Sequence, residues 1–571
     1  MKNTQIAAIF YELANLLEIK GENPFKIRAY KNAARVIETL PKSLEQMIKE
    51  KQDLTKLPGI GKEIAAKIEE IVNTGKLSKL EELKKQIPQT LIKLLSIEGL
   101  GAKRVRELYT KLGITNEEQL KQAAKEHKIR ELKGFGTKIE EKILNGLKLL
   151  KQEGVRFLYA FVEPIANDLV EYLKNAPTII EIKVAGSFRR KKESVGDLDI
   201  LATANEPKSV IEHFTKYSDI LEVIVAGDTR ATIILNSNLQ VDLRVVKHDS
   251  FGAALHYFTG SKAHVIKLRE IAQDMGLKIN EYGVYKDDNI IASKSEKEIY
   301  KVFDMQYIEP ELREDRGELE AAKNHTLPEL IVKSDIKGDL HMHTIFSDGK
   351  NSIEEMAKRA IELNYSYIAI SDHASKMAII KGLERDNFYK YIEEIDKLNQ
   401  NFKNFKILKS AEVDILEDGS LALEDELLKE LDLVIGAIHT KFRLTKEQQT
   451  KRLLKAFKKI NILAHPTGRI VGKREGIDFD FTQICQSALD NNIILEINAQ
   501  PTRMDLKDNL ILEAKKRGIK FSIATDAHAV TELNFMKYGI NQARRGWLEK
   551  SDVVNTLSLD ELLFKSNKSI K

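Results

Sequence analysis

Six of the chain's 12 histidines lie after residue 336, and all six fall in polar clusters tied to short apolar runs. Tyr367-Ile368-Ala369-Ile370-Ser371 leads into Asp372-His373, and Ile407-Leu408-Lys409-Ser410-Ala411 into Glu412. Leu433-Val434-Ile435-Gly436-Ala437-Ile438 leads into His439, Ile462-Leu463-Ala464 into His465, and Phe521-Ser522-Ile523-Ala524-Thr525 into Asp526-Ala527-His528. Helical patterns separate the runs. This alternation predicts a parallel α/β barrel from residue 336 onward, with the polar clusters at the C-terminal strand ends where barrel active sites form. His341 and His343 alternate along a strand and so share a face. For one histidine, a hydrogen-bonded structural role outweighs metal ligation; six of six in such clusters reverses that balance. Imidazole with carboxylate suits Zn²⁺, Mn²⁺ or Fe²⁺. Nine candidate ligands exceed one ion's capacity and predict two or three ions, a centre able to make hydroxide from water at neutral pH and to polarise a phosphodiester.

A second constellation lies upstream: Gly186-Ser187-Phe188-Arg189-Arg190, Gly196-Asp197-Leu198-Asp199 and Val241-Asp242-Leu243-Arg244. Asp197 and Asp199 alternate on a predicted strand and face one way, and Asp242 lies on another strand, Leu239 to Val246. Three converging carboxylates repel unless cations neutralise them. Two Mg²⁺ ions about 3.5–4 Å apart would do so and would clamp the attacking and leaving oxygens of an in-line displacement. Asp-x-Asp alone is common in surface turns. Preceded by Gly-Ser and followed by a third strand aspartate, it is the nucleotidyltransferase pattern, with Ser187 and Arg190 placed to hold a triphosphate.

Residues 1–150 have helical periodicity and carry 29 Lys and Arg against 20 Asp and Glu. A basic region beside acidic centres suits a polyanionic substrate, although a solvated Lys-rich surface gives the same count. Leu57-Pro58-Gly59-Ile60-Gly61, Ile97-Glu98-Gly99-Leu100-Gly101 and Leu132-Lys133-Gly134-Phe135-Gly136 repeat one pattern, apolar-x-Gly-apolar-Gly. Each joins two helical segments, as in a helix-hairpin-helix, and turns backbone N–H groups toward a phosphate without reading sequence. Met1 to Lys20 reads as an amphipathic helix rather than a secretory leader. No apolar run approaches the roughly 20 residues of a membrane span. The single cysteine, Cys485, excludes internal disulfides and cysteine-based zinc sites.

With these motifs in view, residues 1–315 resemble the family X DNA polymerases, the polymerase-beta-like enzymes and their bacterial relatives. Tyr257-Phe258-Thr259-Gly260-Ser261 and Ile279-Asn280-Glu281-Tyr282-Gly283 match further family segments. The resemblance implies that Asp197 and Asp199 hold both metals, and that Asp242 holds the catalytic metal and helps activate the primer 3′-hydroxyl. It implies that Gly186, Ser187, Arg190 and Gly196 meet the triphosphate, and that Tyr257, Phe258 and Gly260 meet the sugar. Lys262 and Val265 depart from the animal enzymes near the nascent base. Phe25 to Lys79 resembles the family's 5′-phosphate-gripping domain, with Lys26 and Lys79 as phosphate contacts. Lys67 falls on the Schiff-base lysine of the lyase reaction, but Glu63, one helical turn earlier, favours the protonated amine and opposes that role.

Residues 336–571 resemble the PHP domain, and the family's ligand positions are filled by His341, His343, Asp348, His373, Glu412, His439, His465, Asp526 and His528. In bacterial relatives this domain is associated with Mn²⁺-dependent 3′→5′ exonuclease and abasic-site cleavage. Arg469 and Arg503 are candidate phosphate contacts or surface ion-pair partners. The expected organisation is a small helical DNA-binding domain (1–85), a fingers-like helix-hairpin-helix subdomain (86–150), an α+β palm (151–260), a thumb (261–315), a linker (316–335) and the barrel (336–571). The expected protein is a monomeric cytoplasmic, nucleoid-associated gap-filling DNA polymerase of base excision repair. It would use Mg²⁺ at the palm and Mn²⁺ or Zn²⁺ at the barrel, with gapped or nicked DNA and deoxynucleoside triphosphates as substrates. A nuclease with a vestigial palm is opposed by the intact aspartate triad. A non-enzymatic end-binding scaffold is opposed by two complete metal sites.

Overall fold

The computed structural model describes residues 3–39, 44–57, 59–97, 100–150, 155–374 and 382–566. The described part of 1–150 is helical, and one apolar core runs through it from Ile6 to Leu147. Residues 1–85 and 86–150, expected as two units, therefore share their interior. Helix Lys62–Thr74 shows how the sequence sets local structure: Gly61 begins it and Gly75 ends it in the left-handed conformation at φ 73°, the favoured helix stop.

The palm is a five-stranded sheet in the order Ile179–Val184, Asp197–Ala204, Gln240–Val246, Arg230–Leu235, Ile220–Ala226. Its two central neighbours run parallel and place Asp199 directly beside Asp242. Leu198, Ile200, Val241 and Leu243 point to one face, where helices Tyr159–Lys174 and Pro207–Phe214 bury them. Strand alternation then forces Asp197, Asp199 and Asp242 onto the other face. Farther along that face, helix Phe251–Thr259 covers Leu201. The thumb adds helix Lys262–Asp274 and the three-stranded sheet Leu277–Asn280, Gly283–Lys286, Asn289–Ala292.

The C-terminal part places strands Gly338–Asp339, Tyr367–Ile370, Lys406–Asp414, Leu433–Ala437, Ile462–Leu463, Ile494–Asn498 and Phe521–Ala524 side by side in chain order, all parallel. A bridge between Met342 and Ala527 joins the last strand back to the first and nearly closes a barrel. The strands are buried on both sides, which is why they read as continuous apolar runs.

The segment expected as a linker, 316–335, is folded. Helix Glu318–Lys323 sends Leu319 and Ala322 into the thumb core, Glu318 Oε1 lies 2.7 Å from His264 Nδ1, and Ile331 joins the barrel core. Just upstream, Arg313 is fully buried against Glu296 at 2.6 Å. The segment reads as solvated because its charges find partners distant in sequence. Palm and barrel also pack together. Met504 and Tyr538 of the barrel enter the palm's apolar cluster, and Glu163 accepts hydrogen bonds from Lys537 Nζ at 2.5 Å and Tyr538 Oη at 2.9 Å. Among the described residues, no helix is long and apolar enough to cross a membrane.

Candidate active sites

In the palm, a ligand oxygen from each of Asp197, Asp199 and Asp242 lies within 4.8 Å of the others. Asp242 is held on both oxygens, by Thr232 Oγ1 at 2.5 Å and Gln240 Nε2 at 2.6 Å. Burial, then the charges of Asp197 and Asp242, push the Asp199 carboxyl up to about 7, and burial with Asp242 raises Asp197. Such a triad is costly without a cation, and its all-oxygen donor set fits Mg²⁺. Gly186 has φ +61°, and a Cβ there would meet Asp199 Oδ2 at 2.2 Å. The first turn of the Gly186–Arg190 loop thus needs glycine for both conformation and space.

Ser187 belongs to the short helix Gly186–Arg189, and Arg190 caps it. Arg190 is mostly buried, donating from Nε to Glu314 Oε1 at 3.0 Å and from Nη1 to the Thr259 carbonyl. Its Nη1 also lies 3.2 Å from where a Cβ on Gly260 would stand, which brings the Gly186–Arg190 and Tyr257–Ser261 segments together. Phe258 stacks beneath Arg244 at 4.7 Å, and Tyr257 meets Phe258 edge-on. Gly196 stands immediately before Asp197.

In the barrel, the nine expected ligands converge. His341 Nε2 and His343 Nε2 lie 3.2 Å apart, and Asp526 Oδ1 is 3.1 Å from the latter. Asp348 Oδ2 is 3.4 Å from His528 Nε2 and 3.6 Å from His373 Nε2. Glu412 reaches His373 Nδ1 at 2.9 Å, His465 Nε2 at 2.8 Å and His439 Nε2 at 3.2 Å. Three overlapping groups of compatible ligand atoms result: His343, Asp348, His373 and His528; His341, His343 and Asp526; and His373, Glu412 and His439.

Burial alone would raise Glu412, but His439, His373 and His341 hold its carboxyl well below the usual range. Burial would lower the imidazoles. Glu412 nevertheless lifts His373 to about 10 and His439 to about 9, and Asp348 with Asp526 lifts His528 to about 9. Burial and neighbouring His373 drive His343 down to about 3. His343 Nδ1 and His465 Nδ1 are buried without hydrogen-bond partners. Facing imidazole nitrogens and unpartnered lone pairs among carboxylates fit divalent cations, which would replace these protons.

Sequence reasoning missed the residues that aim the ligands. Glu496 Oε1 is 2.6 Å from His341 Nδ1, Asp414 Oδ1 is 2.6 Å from His439 Nδ1, and Asn498 donates to Asp526 at 3.1 Å. Such partners fix tautomer and orientation. Their signal was present as carboxylate and amide side chains at strand positions, Glu496 and Asn498 in Ile494–Asn498 and Asp414 at the end of Lys406–Asp414. Of the two candidate phosphate contacts, Arg503 remains at the site, its Nε 3.5 Å from Asp526. Arg469 instead forms a forked ion pair with Glu193 of the palm.

Among the helix-hairpin-helix glycines, Gly99 lies outside the described residues. Gly61 and Gly101 immediately precede helices Lys62–Thr74 and Ala102–Leu112, and Gly134 and Gly136 open Gly136–Leu150. A Cβ on any of these, or on Gly59, would meet nothing within 4 Å, so the turns are open. Lys26 is exposed, and Lys79 pairs with Glu82 at 2.8 Å. Lys67 is bound to Glu63 at 2.8 Å, and Glu63 also accepts from Tyr30 Oη at 2.8 Å.

A carboxylate-triad nucleotidyltransferase palm joined to a histidine-rich barrel defines a two-centre, metal-dependent enzyme of phosphoester chemistry. Family models agree segment by segment: a helix-hairpin-helix domain (1–77), a SAM-like helix-hairpin-helix tandem (91–149), DNA polymerase beta palm (159–266) and thumb (254–314), and a PHP domain (339–500). The chain is 40% identical over 568 residues to the "DNA polymerase/3'-5' exonuclease PolX" of Bacillus subtilis (strain 168), covering 98% of this chain and 99% of that protein. It belongs to the family X DNA polymerases that carry a C-terminal PHP domain. Part of the chain is 28% identical over 231 residues to a "Probable phosphatase" of Thermoanaerobacter sp. (strain X514), covering 38% of this chain and 89% of that protein. Another part is 27% identical over 308 residues to "DNA polymerase lambda" of Arabidopsis thaliana, 50% of this chain and 54% of that protein.

Proposed function

We propose that this chain is a DNA-directed DNA polymerase that fills short gaps in base excision repair, and that its barrel is a metal-dependent 3′→5′ exonuclease or 3′-end-processing phosphoesterase. The observation that carries the reading is the pairing of an aspartate triad with three overlapping groups of barrel histidines and carboxylates in one chain. Asp197, Asp199 and Asp242 hold two Mg²⁺, which when bound neutralise the triad and polarise the reacting phosphate. Thr232 and Gln240 keep Asp242 aimed toward the primer 3′-hydroxyl. Gly186, Ser187, Arg190 and Gly196 receive the triphosphate, and Tyr257, Phe258 and Gly260 border the sugar.

In the barrel, His341, His343, Asp348, His373, Glu412, His439, His465, Asp526 and His528 hold two or three Mn²⁺ or Zn²⁺ ions. Glu496 and Asp414 orient ligands there, and Arg503 offers a phosphate contact. The open glycine turns with Lys26 and Lys79 grip a gapped or nicked duplex by its backbone. Lys67, ion-paired to Glu63, serves DNA phosphate binding rather than Schiff-base chemistry. A monomer in the reducing cytoplasm, associated with the nucleoid, suits a DNA substrate and a single buried thiol.

The test is a gapped duplex with a 5′-phosphate, incubated with Mg²⁺ or Mn²⁺, with and without deoxynucleotides. Asp199→Ala is expected to abolish extension and spare degradation, and His343→Ala to do the reverse. Extension that survives Asp199→Ala would sink the palm assignment, and degradation that survives His343→Ala would sink the barrel assignment.

A further inference from the structure

The barrel reaches into the polymerase's nucleotide loop at two points. Arg545, the last residue of helix Met536–Arg545, is buried at 2% exposure. Its Nη1 donates to the Arg190 carbonyl at 2.7 Å and to Glu314 Oε1 at 3.1 Å, while Nη2 donates to Asp508 Oδ2 at 2.6 Å. The same Glu314 oxygen accepts from Arg190 Nε at 3.0 Å. Two guanidinium groups, one from the palm and one from the barrel, therefore share one carboxylate. Farther along the loop, Arg469 clasps both oxygens of Glu193. Arg469 follows His465 by four residues, so this grip extends from the barrel's ligand loop.

The sharing has an electrostatic consequence. Burial would raise the Glu314 carboxyl, but Arg545 and Arg190 beside it hold it below the usual range. The largest part of that compensation comes from Arg545, outside the polymerase. Remove the Arg545 charge, and Glu314 is left in a mostly buried place with Arg190 at 3.0 Å and the more distant Lys192 at 3.9 Å. Glu314 would then hold Arg190 more tightly, and the Arg190 carbonyl would lose a donor. A guanidinium held by a buried carboxylate is a poorer receptor for a triphosphate, because both anions compete for the same N–H groups.

We infer that Arg545 is a positioning residue of the polymerase reaction: the barrel divides Glu314 between two arginines so that Arg190 stays available to the triphosphate, with the Arg469–Glu193 pair fixing the loop's far end. The inference rests on the reading of Arg190 as a triphosphate contact.

The experiment uses the full-length chain and measures single-nucleotide extension on a gapped duplex with Mg²⁺, beside Mn²⁺-dependent degradation of the same strand. Arg545→Met is expected to raise KM for the nucleotide about tenfold, the effect of weakening one hydrogen bond to a charged group, with kcat changed much less. Arg545→Lys should recover part of the loss. Arg545→Met with Glu314→Gln should recover more, since the neutral amide no longer holds Arg190. Degradation should stay at the wild-type rate in all three. Arg190→Gln separates the two claims: if it leaves KM unchanged, the reading of Arg190 fails. If it raises KM while Arg545→Met does not, the inference fails. Equal losses of extension and degradation in Arg545→Met would also overturn it, as the mark of general destabilisation. Should Arg545→Met not fold, Arg469→Gln replaces it, with a smaller rise in KM expected and an unchanged KM overturning the proposal.

Discussion

Asp199 shows how one buried carboxylate ties stability to pH. Its ordinary value is 3.8, and burial with two like charges moves it up to about 7. Between these values the metal-free folded chain keeps a proton that the unfolded chain releases. The stability linked to that proton is fully present below the unfolded value and is lost as pH rises through about 7. A divalent cation bound at the triad would take the proton's place as the neutralising charge. The rise in unfolding temperature caused by Mg²⁺ should therefore be larger near pH 8 than near pH 6, where the ion must displace a proton. Asp199→Asn should flatten the difference. A calorimetric series in which the wild-type increment is larger at pH 6 would contradict this account.

At the scale of elements, the connection between thumb and barrel is a structural member. Arg313 buries its guanidinium between Glu296 and the Ile308 carbonyl, while Arg189 holds Glu296 from the palm at 2.6 and 2.8 Å. Arg313→Met should cost about 3 kcal/mol of unfolding free energy, because Glu296 stays buried with one cation fewer. Denaturant unfolding is the check, and a change below about 1 kcal/mol would show that Arg189 suffices. The sequence made the barrel strands legible because strands buried on both faces are continuous apolar runs against which histidines stand out. It made the palm triad legible because alternation puts Asp197 and Asp199 on one face. The packed connection was not legible, since its charges look solvated until Glu296 and His264 are brought beside them. Glu496 and Asp414 were visible only as carboxylates on strands, without a sign of which imidazole each would meet.

The whole molecule is further from its sequence still. Arg469 and Glu193 are separated by 276 positions, and no local pattern marks them as partners. Together with Tyr538, Met504 and Glu163, they make palm and barrel one packed body along this face. Metal bound only in the barrel should therefore protect the palm as well. At a hundred times its dissociation constant an ion adds about 2.7 kcal/mol, and hydrogen exchange in palm strand Asp197–Ala204 should slow along with barrel strand Ile494–Asn498 when a His-site ion is added to Asp199→Asn. Slowing in the barrel alone would mean that the two halves open independently. The shared carboxylate Glu314 also limits how such enzymes can be recombined. A hybrid that joins this polymerase half to a foreign barrel inherits two acids, Glu193 in the palm and Glu314 after the thumb, that here meet arginines of the barrel. Only donors that present a basic side chain at both places should yield a hybrid that uses nucleotides at ordinary concentrations, so the ancestry of the two halves is expected to be read together, as matched pairs across the seam.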